Sequence, residues 1–166
     1  LYSELEAAGA QFRTTSDTEV VVNAIRIWGV AEAVRRFIGM FAFAVWDRNS
    51  RELSLVRDRV GIKPLFYWIG TDQLLFGSET RALLAHPALP RSIDRVGIGQ
   101  YLTTGYTLGE TTALSGVKQL LPGHILSIDA GGSTRTSCYW SLSDYERTQE
   151  AQSLPLDELA EELHQL

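Results

Sequence analysis

The chain has 166 residues, 45% of them hydrophobic and 21% charged, and a formal net charge of −5. That length supports one domain with its own core. The acidic balance argues against a nucleic-acid partner, because phosphates call for a basic face, and no apolar run approaches the roughly 20 residues that cross a bilayer. The single cysteine, Cys138, rules out an internal disulfide framework and fits a reducing, cytoplasmic compartment.

Leu1, Leu5 and Ala8 share one helical face, and Gly9 stands where a helix stops. This pattern has a stop and no start. At the other end Leu156, Leu159, Ala160 and Leu163 begin an amphipathic helix that has no cap. The sequence therefore reads as a piece cut at both ends. Ser16 followed by Glu19 has the form of a capping box, which predicts a helix over 20–28, stopped by Gly29, and a second short one over 31–37.

Residues 39–67 are the organising stretch. Strands are expected over 40–47 and 52–58, with a polar turn at 48–51. In the first strand both alternating sets are apolar: Phe41, Phe43 and Val45 on one face, and Met40, Ala42, Ala44 and Trp46 on the other. Such a strand is covered on both sides, which places it in the middle of a layered core. Further strands are expected over 65–69 and 73–76, then a helix over 79–85 stopped at His86-Pro87 and one over 95–102 capped by Asp94. After a Thr- and Gly-rich loop, strands follow over 117–121, 124–129 and 134–140. From Ser141 the composition turns polar, which marks a linker over 141–155. The order of elements gives the class α+β with antiparallel sheets in at least two layers.

Few residues offer chemistry by pattern alone. His86, His124 and His164 have no zinc spacing, so no metal site is expected. Cys138 lies on a strand with nothing to activate it and reads as an inert, partly buried thiol. Gly97-Ile98-Gly99 and Gly131-Gly132 lack the strand-to-helix setting of a phosphate loop. Asp17 has two readings: a carboxylate favoured by the helix dipole, or a fixed anion that holds a substrate ammonium in a cleft. Arg57-Asp58-Arg59 and Lys63 likewise read either as a solvated turn or as a cleft-mouth or interdomain loop shaped by Gly61 and Pro64. Ser78-Glu79 reads best as a helix cap.

Five stretches appear in order: SDTEV from Ser16, GMFAFAVWD from Gly39, RDRVGIKPLFY from Arg57, FGSE from Phe76 and LPGH from Leu121. Together they closely resemble the glutaminase domain of glutamine-hydrolysing asparagine synthetases, which are class II, N-terminal-nucleophile glutamine amidotransferases. The resemblance covers about 1–140 and leaves 141–166 as the linker and the start of a synthetase domain. It implies a four-layer α/β/β/α sandwich, incomplete at its N-terminus, and glutamine as substrate, with Asp17 gripping the α-ammonium. It also implies an N-terminal cysteine nucleophile whose α-amine is the base, an Asn-Gly oxyanion hole and a carboxylate-binding arginine, all upstream of Leu1. This stretch is therefore expected to be inactive by itself, with no catalytic residue and no cofactor of its own. ATP and magnesium belong to the C-terminal synthetase domain that would be its partner, and a homodimer stays open. The rivals are the same domain serving a sugar phosphate, phosphoribosyl or polysaccharide acceptor, and a non-catalytic binding module of the same fold.

Overall fold

A computed structural model describes residues 1–144 together with Pro155 and Ala160. Its elements are α1 (Tyr2–Ala7), α2 (Asp17–Arg36), β1 (Ala42–Asp47), β2 (Glu52–Arg57), β3 (Phe66–Ile69), β4 (Leu74–Gly77), α3 (Thr80–Leu84), α4 (Arg95–Thr104), β5 (Lys118–Gln119), β6 (His124–Ile128), β7 (Thr134–Cys138) and a 3-10 turn at Leu142–Asp144. The strands form two antiparallel sheets, one in the order β1-β2-β6-β7 and one in the order β4-β3-β5.

Because side chains alternate along a strand, each sheet sends apolar groups to both of its faces, and three cores separate four layers. Val56, Ile125 and Tyr139 meet Leu5, Ala24, Val34 and Phe37 of the helical side. Phe37 there packs edge-on against Phe41, with ring centroids 5.7 Å apart. Leu55 and Leu126 point the other way, onto Leu65, Tyr67 and Leu120 of the second sheet. The outer face of that sheet, Phe66, Trp68 and Leu75, covers Leu83 of α3 with Leu89 and Val117. Each fully buried leucine contributes about 1.5–3 kcal/mol. The class is α+β with no closed barrel, as the sequence indicates.

Several details differ from the sequence reading. Among the described residues β1 is an edge strand of its sheet, a position the sequence reading does not assign. Its second apolar face is covered only at Ala42, because the smaller sheet packs on β2 and β6, and Trp46 stays 54% exposed. Gly29 breaks the helix as expected, at φ 74° and ψ 165°, where only glycine sits without strain. Helix resumes at once on its far side, so the two segments read as one element.

The Ser16–Glu19 pair does not close as a reciprocal capping box. Ser16 Oγ accepts from Thr18 N at 3.2 Å, and Ser16 N is already taken by Thr14 Oγ1. The Glu19 carboxylate reaches further back, to Arg13 N and Thr14 N at 2.9 and 2.8 Å. Nor does Ser78 cap α3: the N-cap is Glu79, without a side-chain cap bond, and its carboxylate pairs with Arg81. Asp94 does cap α4, accepting from Gly97 N at 2.9 Å. Leu156, Leu159, Leu163 and His164 lie outside the described residues.

Candidate functional site

The charged knot after β2 is buried. Arg57 is 6% exposed and Asp58 fully enclosed, so a solvated turn is the wrong reading. A buried cation has to be paired with acceptors, and the Arg57 guanidinium finds three carbonyls: Lys63 O at 2.9 Å, Leu120 O at 2.6 Å and Gly61 O at 2.7 Å. With its amide turned oxygen-inward, Gln119 accepts two more of the guanidinium's hydrogens. Burial pulls the Arg57 pKa down, and the neighbouring Asp58 charge opposes that.

The Asp58 carboxylate accepts from Ile62 N and Lys63 N, both at 2.9 Å, and from Phe41 N at 3.3 Å. Burial would raise its pKa, but the amides of Lys63, Ile62, Phe41 and Gly61 outweigh that and hold it below the usual carboxylate value. A depressed folded-state pKa adds stability that is present above the unfolded value, about 3.9. That stability is lost as pH falls through the lower folded value. Unfolding as pH falls through and below about 4 is therefore expected to take up fewer protons in Asp58→Asn than in the parent. Urea melts across that window measure it, and an unchanged pH slope would remove Asp58 from the account.

Residues 60–64 thus form a loop pinned from beneath. Gly61 has φ +70°, and a Cβ there would press on Pro122 and on Arg57 itself, so the turn and the guanidinium fit only around glycine. The side chain of Lys63 is not used by this scaffold and is exposed. It lines a cavity of about 530 Å³ together with Asp17, Thr18, Met40, Phe41 and Ser78. Asp17 opens α2, its Oδ1 accepting from Thr18 N at 2.7 Å, and its side chain is exposed to the cavity. A second hollow of about 240 Å³ shares Asp17, Met40 and Phe41 and runs toward Leu1 and Ile38.

The structure therefore brings Asp17 and Lys63 to one cavity and leaves Arg57, Asp58 and the Gly61 backbone beneath it. Ser78, which by sequence reads as a helix cap, lines the cavity instead. The FGSE stretch contained it, but nothing in the local pattern distinguishes a cleft serine from a capping one. Cys138 is exposed, not partly buried, because β7 is the outer strand of its sheet, and its thiol donates to Trp140 O. His86 and His124 serve local turns, on Ala88 N and Pro122 O. Among the described residues no group of three or more His, Cys, Asp or Glu could hold a metal ion. No helix among them is long and apolar enough to cross a membrane.

A family model described as a glutamine amidotransferase domain matches residues 1–140. This chain belongs to the glutamine amidotransferase domain family. It is 38% identical over 149 residues to glutamine-hydrolysing asparagine synthetase 3 of Bacillus subtilis, covering 89% of this chain and 24% of that protein. It is 39% identical to asparagine synthetase 2 of the same organism, covering 86% and 20%, and 32% identical to an amidase of Penicillium rubens, covering 85% and 20%. The chain thus spans a quarter or less of the curated relatives it matches. Among solved structures, the glutamine phosphoribosylpyrophosphate amidotransferase of B. subtilis superposes on 84% of this chain and 26% of its own, with a TM-score of 0.55 at 22% identity. That likeness shows the shared fold.

Proposed function

We propose that this domain is the glutaminase part of an asparagine-synthetase-like enzyme and holds the α-ammonium of glutamine at Asp17. The observation that carries the reading is a carboxylate at the first turn of α2, opening onto a cavity large enough for an amino acid. A desolvated ammonium needs a fixed anion to replace its water, and a charge-assisted hydrogen bond supplies it. Phe41 and Met40 form the apolar side of the same space, where the methylene chain of an amino acid would lie.

The chemical step belongs to an N-terminal cysteine with its own α-amine as base, a role Cys138 cannot take because it is internal. Ammonia released here would serve an acyl-adenylate of aspartate made with ATP and magnesium in a second domain. Neither Gly97-Ile98-Gly99 nor Gly131-Gly132 forms a phosphate loop. Gly97 and Gly99 lie inside α4, where a Cβ on Gly97 would run into the Thr112 carbonyl, and Gly131 and Gly132 sit in a tight turn at Asp129. Asparagine is the acceptor product favoured, since the relatives that match at 35–39% identity over most of this chain carry that name.

Asp17→Asn in the full-length gene product is expected to raise KM for glutamine about 10- to 100-fold, the loss of one hydrogen bond to a charged group. Steady-state glutamate release measures it. An unchanged KM removes Asp17 from the site. Nitrogen appearing on an acceptor other than aspartate would keep the glutaminase and replace the synthetase.

A further inference from the structure

We propose that Asp58 is a positioning residue for glutamine: it fixes the distance between the two walls of the Asp17 cavity without touching the ligand. One wall is the approach to β1, with Met40, Phe41 and Ala42, and the other is the pinned loop at Lys63 and Pro64. A single carboxylate oxygen, Asp58 Oδ2, accepts from both walls, from Phe41 N at 3.3 Å and from Lys63 N at 2.9 Å. Oδ1 takes the next amide of the loop, Ile62 N, at 2.9 Å.

The main chain of the same residue repeats the tie. Asp58 N donates to Phe41 O at 2.9 Å, and Asp58 O accepts from Gly61 N and Gly123 N at 3.1 and 2.8 Å. Asp58 has no accessible surface, so it acts through these amides and not by contact with a bound molecule. A staple that served the fold alone would join elements anywhere along the sheet. This one joins two segments that both line the cavity, and the Arg57 guanidinium holds the loop's carbonyls. Loss of the carboxylate leaves the two segments joined through the main chain of Asp58 alone, and an amino acid then meets Asp17 in a cleft of less fixed width.

The inference rests on the glutamine reading above, and the test separates the two. In the full-length gene product, Asp58→Asn is expected to raise KM for glutamine about tenfold, with kcat changed by no more than about twofold. A lowered kcat at unchanged KM marks a structural role and overturns the inference. A raised KM in Asp17→Asn with an unchanged one in folded Asp58→Asn overturns it alone, whereas an unchanged KM in Asp17→Asn overturns the glutamine reading and this inference with it. The parent protein supplies a readout that needs no variant. Saturating L-glutamine is expected to slow hydrogen exchange at the amides of Phe41, Ile62 and Lys63 by a common factor, and unequal or absent slowing overturns the proposal.

Discussion

Replacing Arg57 by alanine is expected to destabilise the domain by about 3–5 kcal/mol, the range for removing one partner from a buried charged cluster. The guanidinium is the donor for Lys63 O, Leu120 O and Gly61 O, and each carbonyl left without one costs about 1–3 kcal/mol. Water entering the space once filled by the side chain recovers part of that sum, which keeps the total below the arithmetic maximum. The loss is a large share of the roughly 5–15 kcal/mol that holds a domain of this size together. Lysine is expected to recover less than half of it, because three donors on one point charge do not match a planar fork reaching three separated oxygens. Urea unfolding at 25 °C gives the difference. A loss below about 1 kcal/mol in Arg57→Ala would mean that the carbonyls find other donors and that the cluster is not what fixes the loop.

The same cluster shows where sequence stops being legible. Strand alternation over 40–58 was readable because each apolar set has a separate core to meet, Phe41 and Phe43 against the helices and Leu53 and Leu55 against the second sheet. The break at Gly29 and the cap at Asp94 were readable because each depends on local backbone chemistry. Arg57 and Asp58 were not, since the acceptor that completes the guanidinium comes from Leu120, 63 residues away. A charged triplet beside glycine and proline looks solvated until that carbonyl is in place. The edge position of β1 was hidden for a related reason: an apolar face states that cover is wanted, and only the strand order states whether the second sheet reaches it. For the site, Asp17 was visible as an acid at a helix start and as part of the SDTEV stretch. Its company with Lys63 and Ser78 depends on three elements that converge only in the fold.

Gly123→Ala is expected to cost about 2–5 kcal/mol, the sum of a left-handed backbone imposed on an L-residue and an overpacked contact. Gly123 has φ +67°, and its Cβ would meet the carbonyl of Trp140, a main-chain group that cannot swing aside as a side-chain tip would. Three backbone hydrogen bonds converge there as well. Gly123 N donates to Asp58 O at 2.8 Å, and Gly123 O accepts from Tyr139 N at 2.8 Å and Trp140 N at 3.4 Å. Any shift that relieves the clash therefore loosens the end of β7 and the residue beneath the cavity together. Tyr139 would feel it too, since its hydroxyl donates to Arg57 O at 2.8 Å from a buried position. Gly132→Ala separates the two costs: with φ +82° and nothing within 4 Å of a Cβ, it carries the backbone term alone, about 1–2 kcal/mol. Equal losses at the two positions in urea melts would show that the approach of residues 139–140 to the Pro122-Gly123 turn contributes nothing. A loss at Gly123 at least twice that at Gly132 assigns the difference to the main-chain junction on which Asp58 and the cavity floor rest.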